Sequence, residues 1–220
     1  MMMIKHTISR YRLSLAAPLL AAMLICLLAG CNAPSSTNSS SSQSSNQNGL
    51  QGTNLDGTPA PDFHLVDQHG HTISLAQLRG MPVILTFFYT HCPNFCPLIA
   101  QKIHTTLDTM GSNGQKVAVI GISVDPEHDT PANAQAFSED HGLASYTHWH
   151  YLLGTRSQLS PVWAAYYVQG LPPAAQVISS SQMIHSSVVY LIDKQGREQA
   201  LLDYDFTPTE LASDMKILLH

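Results

Sequence analysis

The run Pro82-Val83-Ile84-Leu85-Thr86-Phe87-Phe88-Tyr89 is apolar with almost no interruption. A strand with one wet face alternates polar and apolar residues, so an unbroken run reads as a strand buried on both faces. Such a strand needs helices packed over each side, and the rest of the chain supplies them. Val117–Val124 and Ser187–Asp193 read as two further core strands. A helix is expected from about Cys96 to Met110. Thr130-Pro131 has the form of an N-cap and first helical residue, opening a helix that runs to about His141. Thr155–Val168 reads as another helix, with Pro161 limiting the regularity of its start. Thr207-Pro208-Thr209-Glu210 has capping-box spacing and begins a helix whose Leu211, Met215, Leu218 and Leu219 share one face.

Shorter elements complete the pattern. Asp62–Asp67 and His71–Leu75 flank a Gln68-His69-Gly70 turn and read as a hairpin. Trp149–Leu153 is expected as a short strand. Glu198–Tyr204 follows the Lys194-Gln195-Gly196 turn and should run antiparallel to the strand before it. Buried strands alternating with helices define an α/β layered domain. A hairpin, a βαβ unit, then a terminal hairpin and helix is the thioredoxin-like order. The expected fold is a central mixed sheet flanked by helices, in the peroxiredoxin-like variant with an added N-terminal β-hairpin.

The folded part should begin near residue 53. Residues 1–12 carry Lys5, Arg10 and Arg12 and no acid, and an apolar run follows to Leu28-Ala29-Gly30-Cys31. A basic start, a short apolar core and small residues before a cleavage point describe an export signal, here 1–30. At about 17 residues the run is at the short end of the membrane-spanning range. Its ending resembles a lipobox, which implies a bacterial lipoprotein with a lipidated Cys31 as its new N-terminus. Residues 31–52 are almost all Ser, Asn, Gln, Thr and Gly, without charge, and read as a flexible tether. The domain, 53–220, would then be held at the outer face of the bacterial cytoplasmic membrane by its lipid anchor. Without the three basic residues of the signal, 7 basic residues stand against 15 acidic ones, a net charge of −8. That balance argues against nucleic acid as a partner.

Cys92 and Cys96 are the two cysteines left to the mature domain, in Thr90-His91-Cys92-Pro93-Asn94-Phe95-Cys96-Pro97. Their spacing puts both thiols on one helical face. They sit just past the first core strand, at a helix start, which is where α/β sheets place their sites and where exposed N–H groups stabilise thiolates. Three chemistries are open to the pair: a structural disulfide, thiol–disulfide exchange, and ligation of a thiophilic metal such as Cu(I).

The same run resembles the active loop of the Sco (SenC-type) copper-binding family. Ser123-Val124-Asp125-Pro126-Glu127-His128-Asp129-Thr130-Pro131 resembles that family's Asp-Pro-Glu-x-Asp-Thr loop. His185-Ser186 before Val188-Val189-Tyr190-Leu191-Ile192-Asp193 resembles its metal histidine and following strand, and Leu202-Asp203-Tyr204 with the terminal helix is similar too. The resemblance spans about Pro59 to Leu219. It implies a membrane-tethered thioredoxin-fold metallochaperone that binds copper through Cys92, Cys96 and His185. It also implies a Cys92–Cys96 disulfide in the oxidised protein, and service to the copper A centre of cytochrome c oxidase subunit II. Two thiolates and an imidazole make a soft, low-coordinate site suited to Cu(I), and a disulfide would remove both sulfurs. The chain departs from the family pattern at Asn94 and Ile184, where Asp is frequent. Asn94 removes a charge near the metal, and Ile184 removes a carboxylate partner for the imidazole.

The alternative is a thiol–disulfide oxidoreductase or peroxidase on the same fold, acting on a partner such as oxidase subunit II. Thioredoxin-type motifs keep two residues between the cysteines, and here there are three. Met183–Val188 lacks the proline that thioredoxin-fold reductases carry before the third core strand. Tyr89 stands where a peroxiredoxin, by resemblance, would keep Thr or Ser. Other polar residues have simpler roles. His91 reads as a surface residue, His148 and His150 as one face of a half-buried strand, and Asp125, Glu127 and Asp129 as a loop capping the next helix. Met183 reads either as a thioether near the metal or as a gap filler.

Overall fold

The structure, a computed structural model, describes residues 49–170 and 187–220. The expected signal 1–30, Cys31, most of the 31–52 tether, Met183, Ile184 and His185 lie outside the described residues.

Eight strands form one sheet. In chain order they are β1 (Thr53–Pro59), β2 (His64–Asp67), β3 (Thr72–Ser74), β4 (Val83–Phe88), β5 (Ala118–Ser123), β6 (Trp149–Leu153), β7 (Val188–Ile192) and β8 (Arg197–Asp203). Their spatial order is β1-β8-β7-β4-β5-β6-β2-β3. Strands β4, β5 and β6 are parallel, and β7 runs antiparallel to β4, so the sheet is mixed as expected. Among the described residues the helices are α1 (Phe95–Met110), α2 (Pro131–Asp140), α3 (Arg156–Ala165) and α4 (Pro208–Leu218). Among the described residues, no helix is long and apolar enough to cross a membrane.

The unbroken apolar runs have the predicted cause. Every residue of β4 and of β5 is buried. Ile84 and Phe88 face a core closed by Ile99, Ile103 and Leu107 of α1 and by Leu211 and Met215 of α4. Val83, Leu85 and Phe87 face a second core with Leu159, Val162 and Trp163 of α3. A close approach falls at Gly121 in β5, where an added Cβ would lie 2.8 Å from the Phe88 ring and 3.0 Å from Trp149. Only glycine lets these two rings close over the strand. The caps expected at Thr130 and Thr207 form, and Thr155 adds a third: each side chain accepts an N–H of the first turn of α2, α4 and α3 respectively.

The structure adds what the sequence reading lacks at the N-terminal edge. The reading assigns no strand to Thr53–Pro59, yet β1 pairs with β8 across an irregularity between Asn54 and Thr58. It also extends the tether to residue 52. Here Leu50 is 1% exposed, and the Gln51 N–H donates to both carboxylate oxygens of Asp214 at 3.2 Å. The chain is therefore seated on the domain from residue 50, against α4.

Asp214 also makes stability depend on pH. Burial pushes its pKa up to about 6 from 3.8. A carboxyl raised in the native state holds its proton more tightly there than in the unfolded chain. Its contribution is complete below pH 4 and is lost as the pH rises through 6. The two-unit shift corresponds to about 3 kcal/mol. Asp214→Asn keeps an acceptor for Gln51 without the charge. Denaturant titrations at pH 4 and pH 7 should show the variant gaining on the wild type by about that amount at the higher pH. Parallel pH profiles would contradict this assignment.

Candidate metal centre

Strand β4 ends at Phe88, and Thr90–Asn94 lead into α1. Cys92 and Cys96 are both unbridged and both buried, at 7% and 6% exposure. The Cys96 N–H donates to Cys92 Sγ at 3.3 Å, and the Cys92 N–H donates to the Tyr89 carbonyl at 3.2 Å. The first turn of α1 is thus wound around the Cys92 sulfur. Asn94 holds the N-cap position without a side-chain cap, which leaves N–H groups of this turn to the sulfur.

The two thiols are electrostatically unequal. Cys92 is pulled down to about 5 by hydrogen bonding from the Cys96 side chain, with further donors in the Cys96 and Asn94 backbone and the Tyr89 hydroxyl. Burial pushes the Cys96 thiol well up, and the Cys92 charge beside it adds to this. Burial likewise raises Tyr89, so its hydroxyl stays protonated as a donor toward Cys92. At neutral pH the pair is one thiolate and one thiol. That state suits nucleophilic attack by Cys92 and equally suits capture of a soft cation, which displaces the second proton.

The neighbouring loop is tied to this turn by one carboxylate. Asp129 Oδ1 accepts the Thr90 N–H at 2.8 Å and the Thr90 hydroxyl at 2.7 Å. Asp129 Oδ2 accepts the Ser123 hydroxyl at 2.6 Å and the Tyr151 hydroxyl at 3.0 Å. Burial raises the pKa of Asp129, and its donors pull against that rise. The sequence reading treats Asp125, Glu127 and Asp129 as a capping loop, and Thr130 does cap α2. The three carboxylates have separate partners rather than a common centre. Asp125 accepts from His128 Nδ1 at 2.9 Å, Glu127 pairs with Arg156 at 2.6 Å, and Asp129 holds the cysteine loop.

Of the residues expected at the site, Cys92 and Cys96 come together and His185 lies outside the described residues. His91 is exposed beside them, as expected. His148 and His150 are half-buried, but His150 donates or accepts through Nδ1 at Asp67 Oδ2, 2.9 Å away on β2. Among the described residues no group of three or more His, Cys, Asp or Glu is arranged to hold a metal ion. Tyr89 and Asp129 are the contributors that sequence spacing did not single out. Tyr89 sits three residues before Cys92, but its hydroxyl contact carries no sequence signature.

The donor set fits a soft metal: two sulfurs on one turn, both shielded from water. The register also brings another segment to this place. Thr86 pairs with Val189, so antiparallel β7 begins beside the end of β4 from which the cysteine loop departs.

Known proteins resemble this chain in sequence and fold. The SCO1/SenC family profile matches residues 52–220. A SCO2-like protein of Rickettsia prowazekii is 29% identical over 150 residues, covering 68% of this chain and 71% of its own. A SCO1 protein homolog of Bacillus subtilis is 27% identical over 158 residues, covering 70% and 79%. The solved structure of Bradyrhizobium japonicum ScoI with copper bound superposes with a TM-score of 0.61 at 31% identity, covering 74% of this chain and all of that one.

Proposed function

The chain belongs to the SCO1/SenC family, and from that premise we propose that it is a membrane-tethered, extracytoplasmic copper metallochaperone. Copper is its cargo, taken as Cu(I) by Cys92, Cys96 and His185. The observation that carries this reading is the unbridged, buried pair at the first turn of α1, with the Cys96 N–H donated to Cys92 Sγ at 3.3 Å. Cu(I) prefers few, soft ligands, and this turn offers two sulfurs without rearrangement of the backbone. His185 precedes β7 by three residues, and the β4–β7 register supports its reaching the same end of the sheet. Export by the 1–30 signal, lipidation of Cys31 and the tether that follows would keep the domain at the outer membrane face. The oxidase role rests on the family resemblance: delivery to, or preparation of, the copper A centre of cytochrome c oxidase subunit II.

Redox state gates the cargo. Two-electron oxidation of the pair to a disulfide removes both sulfur ligands and releases the metal. The same asymmetry supports a second reading. Cys92 as thiolate can attack a partner's disulfide, and Cys96 can then resolve the mixed disulfide.

A competition titration tests the first reading. The reduced protein should hold one equivalent of Cu(I) against a chelator of known affinity, and the disulfide form should hold none tightly. Equal, weak binding by both forms would leave the dithiol as a redox centre, to be characterised by its reduction potential.

A further inference from the structure

Two exposed imidazoles lie on the loops that leave β4 and β5, the first of which carries the cysteines. Those strands are parallel and in register through Phe88 and Ser123, so their following loops emerge side by side. His91 follows β4 and His128 follows β5. Their ring centroids are 6.5 Å apart, with the planes at 77°.

Both rings are held through the same nitrogen. His128 Nδ1 lies 2.9 and 3.0 Å from the two carboxylate oxygens of Asp125, whose side chain is only 8% exposed. A carboxylate accepts, so the proton is on Nδ1; Asp125 also favours the doubly protonated ring, and in the neutral ring the Nε2 lone pair is free. His91 Nδ1 lies 3.0 Å from the Thr90 hydroxyl oxygen. That hydroxyl has one proton, and it is given to Asp129 Oδ1 at 2.7 Å. The Thr90 oxygen therefore accepts from His91 Nδ1, and the Nε2 of His91 is free as well. A fixed Nδ1–H with a bare Nε2 is the arrangement that orients and strengthens imidazole ligands in metal sites. Two imidazoles sharing one ion in a straight line, with metal–nitrogen bonds of about 2 Å, put their ring centres about 6.4 Å apart. The observed spacing meets that requirement.

We propose that His91 and His128 form a second, outer copper site. It takes Cu(I) from solution or from a donor protein through the two Nε2 atoms and passes it inward to the cysteine pair. His128 is 55% exposed at its side chain, whereas the two sulfurs are almost closed to water. The imidazoles are thus open to an arriving ion where the sulfurs are not. The transfer is a ligand exchange. The Cu–Nε2 bonds break, Cu–Sγ bonds form to Cys92 and Cys96, the Cys96 thiol proton leaves to water, and copper remains Cu(I). Binding at the outer site stands on the histidines alone, and the inward transfer rests on the copper reading of the cysteines.

The test uses the full chain carrying Cys92→Ser, Cys96→Ser and His185→Ala, so that the inner ligands are removed. Cu(I), kept reduced and buffered by a weak monodentate ligand, should still bind at one equivalent and shift the NMR signals of both imidazoles. Adding His91→Gln or His128→Gln should abolish that binding. Asp125→Asn should weaken it about tenfold, as expected for loss of an orienting partner. With the cysteines restored, His91→Gln/His128→Gln should slow loading several-fold and leave the final Cu(I) affinity unchanged. Absence of binding in the triple variant, or binding that ignores both histidines, overturns the proposal. Failure of the copper reading looks different: the wild type would then bind Cu(I) no more tightly than the triple variant.

Discussion

Cys92→Ser and Cys96→Ser should each abolish tight Cu(I) binding by the reduced protein. The expected loss exceeds the roughly 100-fold that changes beyond the coordinating atoms produce. Serine oxygen is a hard, neutral donor and cannot replace a thiolate on a soft ion. The two variants should also differ before metal is added. Cys96→Ser keeps a hydroxyl donor and the backbone donors toward Cys92, so the remaining thiol should still titrate below an ordinary cysteine. Cys92→Ser leaves a Cys96 that burial already holds protonated, so little thiolate should form at neutral pH. His185→Ala should lose the tightly held equivalent while leaving both thiols free to form a disulfide. The chelator competition that defines wild-type binding checks all three. Retention of wild-type affinity in either serine variant would remove the cysteines from the ligand set.

The largest stability effect should fall on Asp129. Asp129→Ala leaves the Thr90 N–H and the hydroxyls of Thr90, Ser123 and Tyr151 without their acceptor. Each buried donor left unpaired costs about 1–3 kcal/mol, and relaxation of the exposed end of the network offsets part of this. A net loss of about 4 kcal/mol is expected, large against the stability of an ordinary domain. Asp129→Asn should lose roughly half as much, since one carbonyl oxygen remains and its amide faces the other two donors. Denaturant unfolding measures both. A loss under 1 kcal/mol for Asp129→Ala would mean that the network contributes geometry and no net stability.

Much of this fold was legible because its signals are local. An unbroken run such as Pro82–Tyr89 has one ready explanation, burial on both faces, and each of Thr130, Thr155 and Thr207 announces a helix within four residues. The β1 edge gives no such signal. In Thr53–Pro59 only Gly57 is buried, Asp56 turns through a φ of 56°, and the pairing with β8 is irregular, so no alternation survives. Leu50 sits alone among polar residues, and its burial depends on α4, more than 150 positions away. At the site, the cysteine spacing and the helix start were readable. The asymmetry of the two thiols was not, because burial of Cys96 and the Tyr89 hydroxyl contact arise only when the loop closes. Asp129 read as part of a helix-capping loop for the same reason: its donors Thr90, Ser123 and Tyr151 are far from it in the chain or hidden by strand geometry.

The Asp129 network also bears on how this chain can be altered by evolution or by grafting. Its donors belong to three separate segments: the cysteine loop, the end of β5, and β6. A change at any one of them is felt by the other two through a single carboxylate. Such a set drifts as a linked group, so Thr90, Ser123, Asp129 and Tyr151 should co-vary across relatives more tightly than any of them does with its sequence neighbours. A cysteine loop transplanted from another thioredoxin-like protein without its matching acceptor would bring two sulfurs and no anchor. The heritable unit of this site is wider than the loop that carries the cysteines.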